Sequence, residues 1–192
     1  MHIHILHEHN ENFKKSLQTS PYHDRICVFG EGSEKPKFMM IGEAPGAEEE
    51  LSGRPFVGKA GKNLSEFLER LHTTREEIYI TNVVKIRPRK ESEKTRKFVN
   101  RPPNQEELDC FVPFLLEEIE RIAPPLIVTL GNISLQSVMQ DKKARIGDYH
   151  GAMQELQNGQ KLFPLYHPAA IIYNQKLKET YENDLLVLQS YL

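Results

Sequence analysis

The chain has 192 residues, 39% of them hydrophobic and 27% charged, enough for one domain with its own core and ordinary for a soluble globular fold. A net charge of −2 excludes nucleic-acid or membrane binding through bulk charge, so any such affinity must come from local clustering. Cys27 and Cys110 are far apart in sequence, which excludes a disulfide framework and a CxxC metal or redox pair; no membrane-spanning run of about 18 apolar residues and no secretory pattern is evident, and a cytoplasmic setting is expected.

The opening MHIHILHEHN carries His2, His4, His7 and His9. Four imidazoles this close could bind a metal, but termini are ordinarily solvated. Residues 1–24 therefore read as an arm with, over 11–24, a short helix and a turn at Ser20-Pro21, and residues 25–192 as a single domain. Ile26–Phe29 is a short apolar segment closed by Gly30-Glu31-Gly32. Phe38–Ile41 is the first strand. The stretch 42–59 reads as a long loop, with Glu48, Glu49 and Glu50 solvated, and loops of that length are uncommon unless they function. Leu64, Phe67, Leu68 and Leu71 recur at helical spacing, predicting a helix over 60–71. Thr73 and Glu76 resemble the capped start of a further short helix.

Ile78–Val84 is the second strand. Asn104 caps a predicted helix running to about Ile122, with Leu108, Phe111, Leu115, Ile119 and Ile122 on one stripe and Pro124-Pro125 ending it. Leu126–Leu130 is the third strand, followed by a helix over 133–140. Leu162–Tyr166 is the fourth, ending at His167-Pro168, and a last helix covers 179–190. Strands alternating with helices predict an α/β fold: a three-layer α/β/α sandwich around a central four-stranded, mostly parallel sheet.

In such a sheet, ligands bind where the carboxyl ends of the strands open into loops. Gly42-Glu43 follows the first strand, Asn82 ends the second, Gly131-Asn132 closes the third and His167 the fourth. Taken singly each has a plain structural reading: an Asn in a turn, a His before Pro, and Phe56 as a core aromatic. Together they suit a planar heterocycle with an amide edge. An aromatic supplies a stacking face, an Asn offers donor and acceptor to a base edge, and a His or turn N–H groups stabilise charge on a carbonyl oxygen. A carboxylate beside them orients water or stabilises a sugar oxocarbenium ion.

Residues 85–103 break the pattern with Lys85, Arg87, Arg89, Lys90, Lys94, Arg96, Lys97 and Arg101 against only Glu91 and Glu93. The insert reads either as a flexible solvated loop or, the favoured alternative, as an arm that contacts DNA phosphates.

GEAPG, then GRPFVGKAG, then TNVVK-x-RP, then YHPAA, in that order, resemble the family 4 uracil-DNA glycosylases over about residues 26–190. The resemblance implies the uracil-DNA glycosylase fold and DNA repair by base excision, with DNA as partner and a flipped-out base as substrate. It makes Glu43 the catalytic carboxylate, lets Gly42 line the sugar side, stacks Phe56 on uracil, and sets Asn82 on the base edge. His167 would donate to the carbonyl oxygen next to the glycosidic bond, and Ala170 and Ile171 would approach the minor groove.

The chain departs from the family in two places. An iron–sulfur cluster typical of the family needs four cysteines, whereas Lys15-Ser16-Leu17-Gln18 and Ile86 stand at three ligand positions and Cys110 lies one residue from the fourth, where Phe111 is in register. No cofactor and no metal are therefore expected, and apolar packing by Ile86 and Phe111 should hold that region. The second departure is the long basic insert. A catalytically lapsed, nucleic-acid-binding relative is the alternative reading. Gly53–Ala60 nearly spells a P-loop, but Ala60 replaces the Mg²⁺-binding hydroxyl and no apolar strand precedes it.

Overall fold

The computed structural model describes residues 3–174 and 176–192; the side chains of 3–5, 59, 60 and 171–173 lie outside that description. The expectations for His2 and for the side chains of His4 and Ile171 therefore fall outside the described residues. In chain order the elements are α1 (Ile3–Leu17), β1 (Glu31–Gly32), β2 (Met39–Gly42), α2 (Ala47–Ser52), α3 (Lys59–Arg70), a 3₁₀ turn (Arg75–Glu77) and β3 (Tyr79–Asn82). There follow β4 (Arg89–Glu91), β5 (Phe98–Asn100), α4 (Gln105–Ile122), β6 (Ile127–Leu130), α5 (Asn132–Met139) and α6 (Ile146–Tyr149). Then come β7 (Gln154–Glu155), β8 (Lys161–Leu165), α7 (Pro168–Tyr173) and α8 (Leu177–Gln189).

The four expected strands are β2, β3, β6 and β8, mutually parallel. The sheet has six strands rather than four, in the order β1-β3-β2-β6-β8-β7, because the two-residue strands β1 and β7 pair antiparallel at its edges. Helices cover both faces, so the parallel strands are buried continuously instead of alternating with polar residues. Strand alternation divides the core in two. Met39, Ile41, Tyr79 and Ile127 pack with α4 and α5, while Met40, Ile80, Val128 and Phe163 pack with α3 and α8. The register sets Gly42 directly beside Asn82 at the strand ends.

The Asn104 cap is as expected. Its side chain accepts from the Glu107 N–H at 2.8 Å, and the Glu107 carboxylate accepts from the Asn104 N–H in return. At the 3₁₀ turn the same device sits one residue later than predicted, on Thr74 and Glu77.

Other segments differ from the sequence reading. The N-terminal segment is not a solvated arm: α1 lays an apolar face on α4, with the His9 ring stacked 4.3 Å from Phe114, Phe13 at 4.1 Å from the same ring, and Leu17 buried. The stretch 42–59 contains helix α2. The basic insert folds into a separate two-stranded antiparallel hairpin, β4 with β5, in which Arg89 faces Asn100 and Glu91 faces Phe98. No described helix is long and apolar enough to cross a membrane.

Candidate active site

A cavity of about 560 Å³ opens at the carboxyl ends of the parallel strands, and Glu43, Phe56, Asn82 and His167 all line it. The size suits a nucleobase with part of its sugar. The sequence-predicted groups thus converge. Asn132 does not join them, because its side-chain oxygen accepts from the Ile146 N–H and fastens α6 instead.

Gly42 is not among the residues that line the cavity; it lies buried behind two of them, Phe56 and Asn82. A Cβ there would stand 2.4 Å from Cζ of Phe56 and 2.5 Å from Oδ1 of Asn82, so both side chains close over its bare α-carbon. Phe56 is buried and has φ 53°, the left-handed region that a bulky residue enters only when its surroundings impose it. The surroundings are visible. Arg75 donates to the Phe56 carbonyl at 3.0 Å and also to the Pro55 carbonyl, and its Nε donates to Glu31 at 2.9 Å. Glu31 also receives Arg54, so a surface ion pair holds the turn that aims the ring.

The second wall hangs from Glu49. Its carboxylate accepts from the N–H groups of Gly46 (3.0 Å), Val57 (3.1 Å) and Gly58 (2.8 Å), tying the GEAPG turn to the turn that carries Phe56. Glu49 is therefore buried rather than solvated, and its oxygens are spent on backbone, while the carboxylates of Glu43, half-buried at the strand end, and of exposed Glu48 also line the cavity. Burial raises the Glu43 carboxyl above the ordinary carboxylate range.

His167 caps α7. Its Nδ1 accepts from the Ala169 N–H at 3.1 Å, which assigns the ring proton to Nε2 and makes the neutral imidazole a donor. Burial lowers its pKa, favouring that neutral form.

Asn82 is held from behind. Lys85 Nζ donates to the Asn82 carbonyl (2.7 Å), the Thr81 hydroxyl (2.6 Å) and Glu118 (2.6 Å); Glu118 also accepts from Tyr79 and Thr81. Lys85 and Glu118 are both sealed from solvent. Lys85, expected among the phosphate contacts, is thus corrected to a core residue, because its ammonium finds a buried carboxylate.

The other basic residues divide. Arg87 is spent on Glu50, Asn100 Oδ1 and the Phe98 carbonyl, bracing the hairpin against α2. Arg89 also bonds Glu50, and Arg101, at the cavity rim, forms a bidentate pair with Glu107 at 2.7 and 2.8 Å. Lys90, Lys94, Arg96 and Lys97 are exposed, Arg96 beside Glu91 at 3.5 Å. Ala170 sits half-buried on α7 next to Ala169, which lines the cavity.

Sequence reasoning missed Asn100 in the cavity wall, the Glu49 staple and the Arg75 clamp. Glu49 had a signal, since it stands three residues after the helix-capping Gly46 as in a capping box. Arg75 had none, its partners being distant in sequence. The P-loop rival loses its geometry, because helix α2 rather than a strand precedes Gly53.

An iron–sulfur cluster does not fit these residues. The chain has two cysteines where four thiolates are needed, and Leu17, Ile86 and Phe111 occupy the region as one buried apolar cluster with Phe13, Tyr22 and both cysteines packed against it. No group of three or more potential ligands gathers among the described residues.

The profile of the Uracil DNA glycosylase superfamily matches residues 29–186. The Type-4 uracil-DNA glycosylase of Pyrobaculum aerophilum is 37% identical, over 96% of this chain and 92% of its own length. Those of Saccharolobus solfataricus (41% identical, over 82% of this chain and 72% of that one) and Thermotoga maritima (39%, over 77% and 72%) are similar to the same extent. A superfamily profile spanning most of the chain, and relatives this similar over most of both lengths, agree with the cavity at the strand ends: the chain belongs to the uracil-DNA glycosylase superfamily.

Proposed function

We propose that the protein is a DNA-repair hydrolase that breaks the glycosidic bond between deoxyribose C1′ and N1 of uracil in DNA, leaving an abasic site. The observation that carries this is the shared lining of one cavity by Glu43, Phe56, Asn82 and His167. The cavity lies in the protein wall, so the target nucleotide leaves the base stack to enter it. Phe56 then stacks on the pyrimidine. The Asn82 amide oxygen accepts from N3–H and its NH₂ donates to O4. Cytosine presents the opposite pattern and leaves the buried amide unpaired, which is costly enough to reject it.

As the C1′–N1 bond breaks, its electron pair stays on the base, and the negative charge on O2 is met by the Nε2–H of His167. The Glu43 carboxylate faces the sugar, stabilises the oxocarbenium ion and takes the proton of the water whose oxygen bonds to C1′. The same pocket admits hypoxanthine or xanthine as other deaminated candidates. Its DNA substrate and unbridged cysteines fit the cytoplasm, and a single chain supplies every group the reaction needs.

Alkaline cleavage of a uracil-containing oligonucleotide after incubation tests the proposal. Excision is expected from wild type, reduced about 100-fold or more in Asn82→Ala and in His167→Ala, the usual loss for one stabilising donor. Intact single-stranded, U·G and U·A substrates after incubation with folded protein would overturn it.

A further inference from the structure

The hairpin that frames the cavity presents an aromatic ring to solvent. Phe98 is 55% exposed and Val99 38%, so β5 spends two large apolar side chains on water at the mouth of a binding site. Alternate residues of a strand project from the same face. Phe98 therefore shares its face with Asn100, which lines the cavity and whose Nδ2 would lie 3.4 Å from a Cβ on Gly46. Two strand residues span about 7 Å, which is about two base steps at roughly 3.4 Å each, a span within which an adjacent nucleotide falls. That reach suits the neighbour of the excised nucleotide.

The ring is also backed. The Arg89 guanidinium lies 4.4 Å from its centroid, and Arg89 is fixed by Glu50 of α2 at 3.2 Å, so the platform is braced by the cavity wall. The same hairpin carries exposed Lys90 and Lys97, positive charge suited to phosphates.

We propose that Phe98 is a stacking platform for the nucleobase adjacent to the target in the same DNA strand, a second base-binding subsite that rests on reading the cavity as a uracil pocket. It grips the strand beside the extruded nucleotide, fixing which phosphate lies at the rim and sharing the cost of unstacking the target.

The test is a cycle between ring and base. Oligonucleotides carry uracil flanked on one side or the other by a tetrahydrofuran site that lacks a base, and wild type is compared with Phe98→Ala and Phe98→Tyr. Wild type is expected to lose about tenfold in kcat/KM when the base on one particular side is removed, the scale of one base–aromatic stack. Phe98→Ala should lose the same factor on the intact strand and be indifferent to that base, while Phe98→Tyr keeps wild-type behaviour. Equal kcat/KM for wild type and Phe98→Ala, or losses that simply multiply, would overturn the subsite. Should wild type excise nothing, the uracil reading fails separately, and the same cycle read as dissociation constants by fluorescence anisotropy still decides on Phe98.

Discussion

Gly42 has only a hydrogen where two functional side chains meet. Its replacement by Ala pushes a methyl into Phe56 and the Asn82 amide, at 2.4 and 2.5 Å, and displaces the groups that hold the base in the proposed reaction. A misplacement of this size costs about 100-fold in rate. Gly42→Ala should therefore lower kcat/KM by that order while thermal unfolding shows a folded protein. Arg75→Ala should act on Phe56 by a different route. Freed carbonyls let the left-handed turn relax, so KM rises more than kcat falls, and Arg75→Lys, which cannot hold both carbonyls and Glu31, restores little.

The two titrating groups of the site give an acid limb. Burial raises Glu43 above its ordinary 4.5 and lowers His167 below its ordinary 6.5. The proposed reaction needs the Glu43 carboxylate and the neutral His167 ring, so activity should fall as pH is lowered through the raised Glu43 value and the lowered His167 value, read from kcat against pH. For Glu43 the stability sign is opposite to the activity sign. The folded state binds this proton more tightly than the unfolded chain, so the contribution is full below 4.5 and lost as pH rises through the raised value. Glu43→Gln should consequently be at least as stable as wild type at neutral pH, by denaturant titration, and nearly inactive. Glu43, Asn82 and His167 were legible because each ends or follows an apolar run, whereas Phe56 stands in a Gly-bounded turn that no such run precedes. Glu49 was misread because a run of three Glu looks solvated until its middle member is seen accepting three N–H groups.

At the scale of elements, β3 and α4 are fastened by the sealed Lys85–Glu118 pair, with Tyr79 and Thr81 completing the network. Removing one partner strands a buried charge, which costs about 3–5 kcal/mol. Lys85→Met should show a loss of that order in urea unfolding, and Lys85→Met with Glu118→Leu should lose less than the sum of the two single changes. The β4–β5 hairpin makes a different kind of prediction. Reversing exposed Lys90, Lys94 and Lys97 to Glu should weaken DNA binding and flatten the dependence of log K on log salt by about 0.9 for each phosphate no longer neutralised. Regular elements with long apolar stripes, such as α4 from its Asn104 cap to Ile122, were readable to the residue. The hairpin was not, since its two strands are three residues each and largely exposed, and carry no alternation that a one-sided core would impose.

For the molecule as a whole, two half-cores on either side of one sheet account for its stability, and α1 completes the first of them. Phe111 sits at the centre of that half-core, with Phe13 at 5.5 Å and Tyr22 at 5.8 Å between ring centroids. Phe111→Ala should cost about 3–5 kcal/mol, as for other buried aromatics, and loosen α1 enough to raise its amide exchange. The four parallel strands were legible because each is a short, mainly apolar run, whereas their spatial order depends on pairings that the runs do not encode. The packing of α1 did not, because its histidines look polar in sequence and only the ring stacked on Phe114 reveals His9 as an aromatic core residue.

The hairpin forms a sheet of its own, sharing no strand pairing with the six-stranded one, while Glu43, Asn82 and His167 stand at or just beyond the ends of main-sheet strands. Chemistry and reach are thereby built as detachable parts. A hairpin of another length or charge that keeps Asn100 at the cavity and the Arg87 and Arg89 bonds to Glu50 can be exchanged without re-pairing the strands of the main sheet. Selection acting on which strand, lesion context or salt concentration the enzyme works in has a place to act that leaves the bond-breaking step alone.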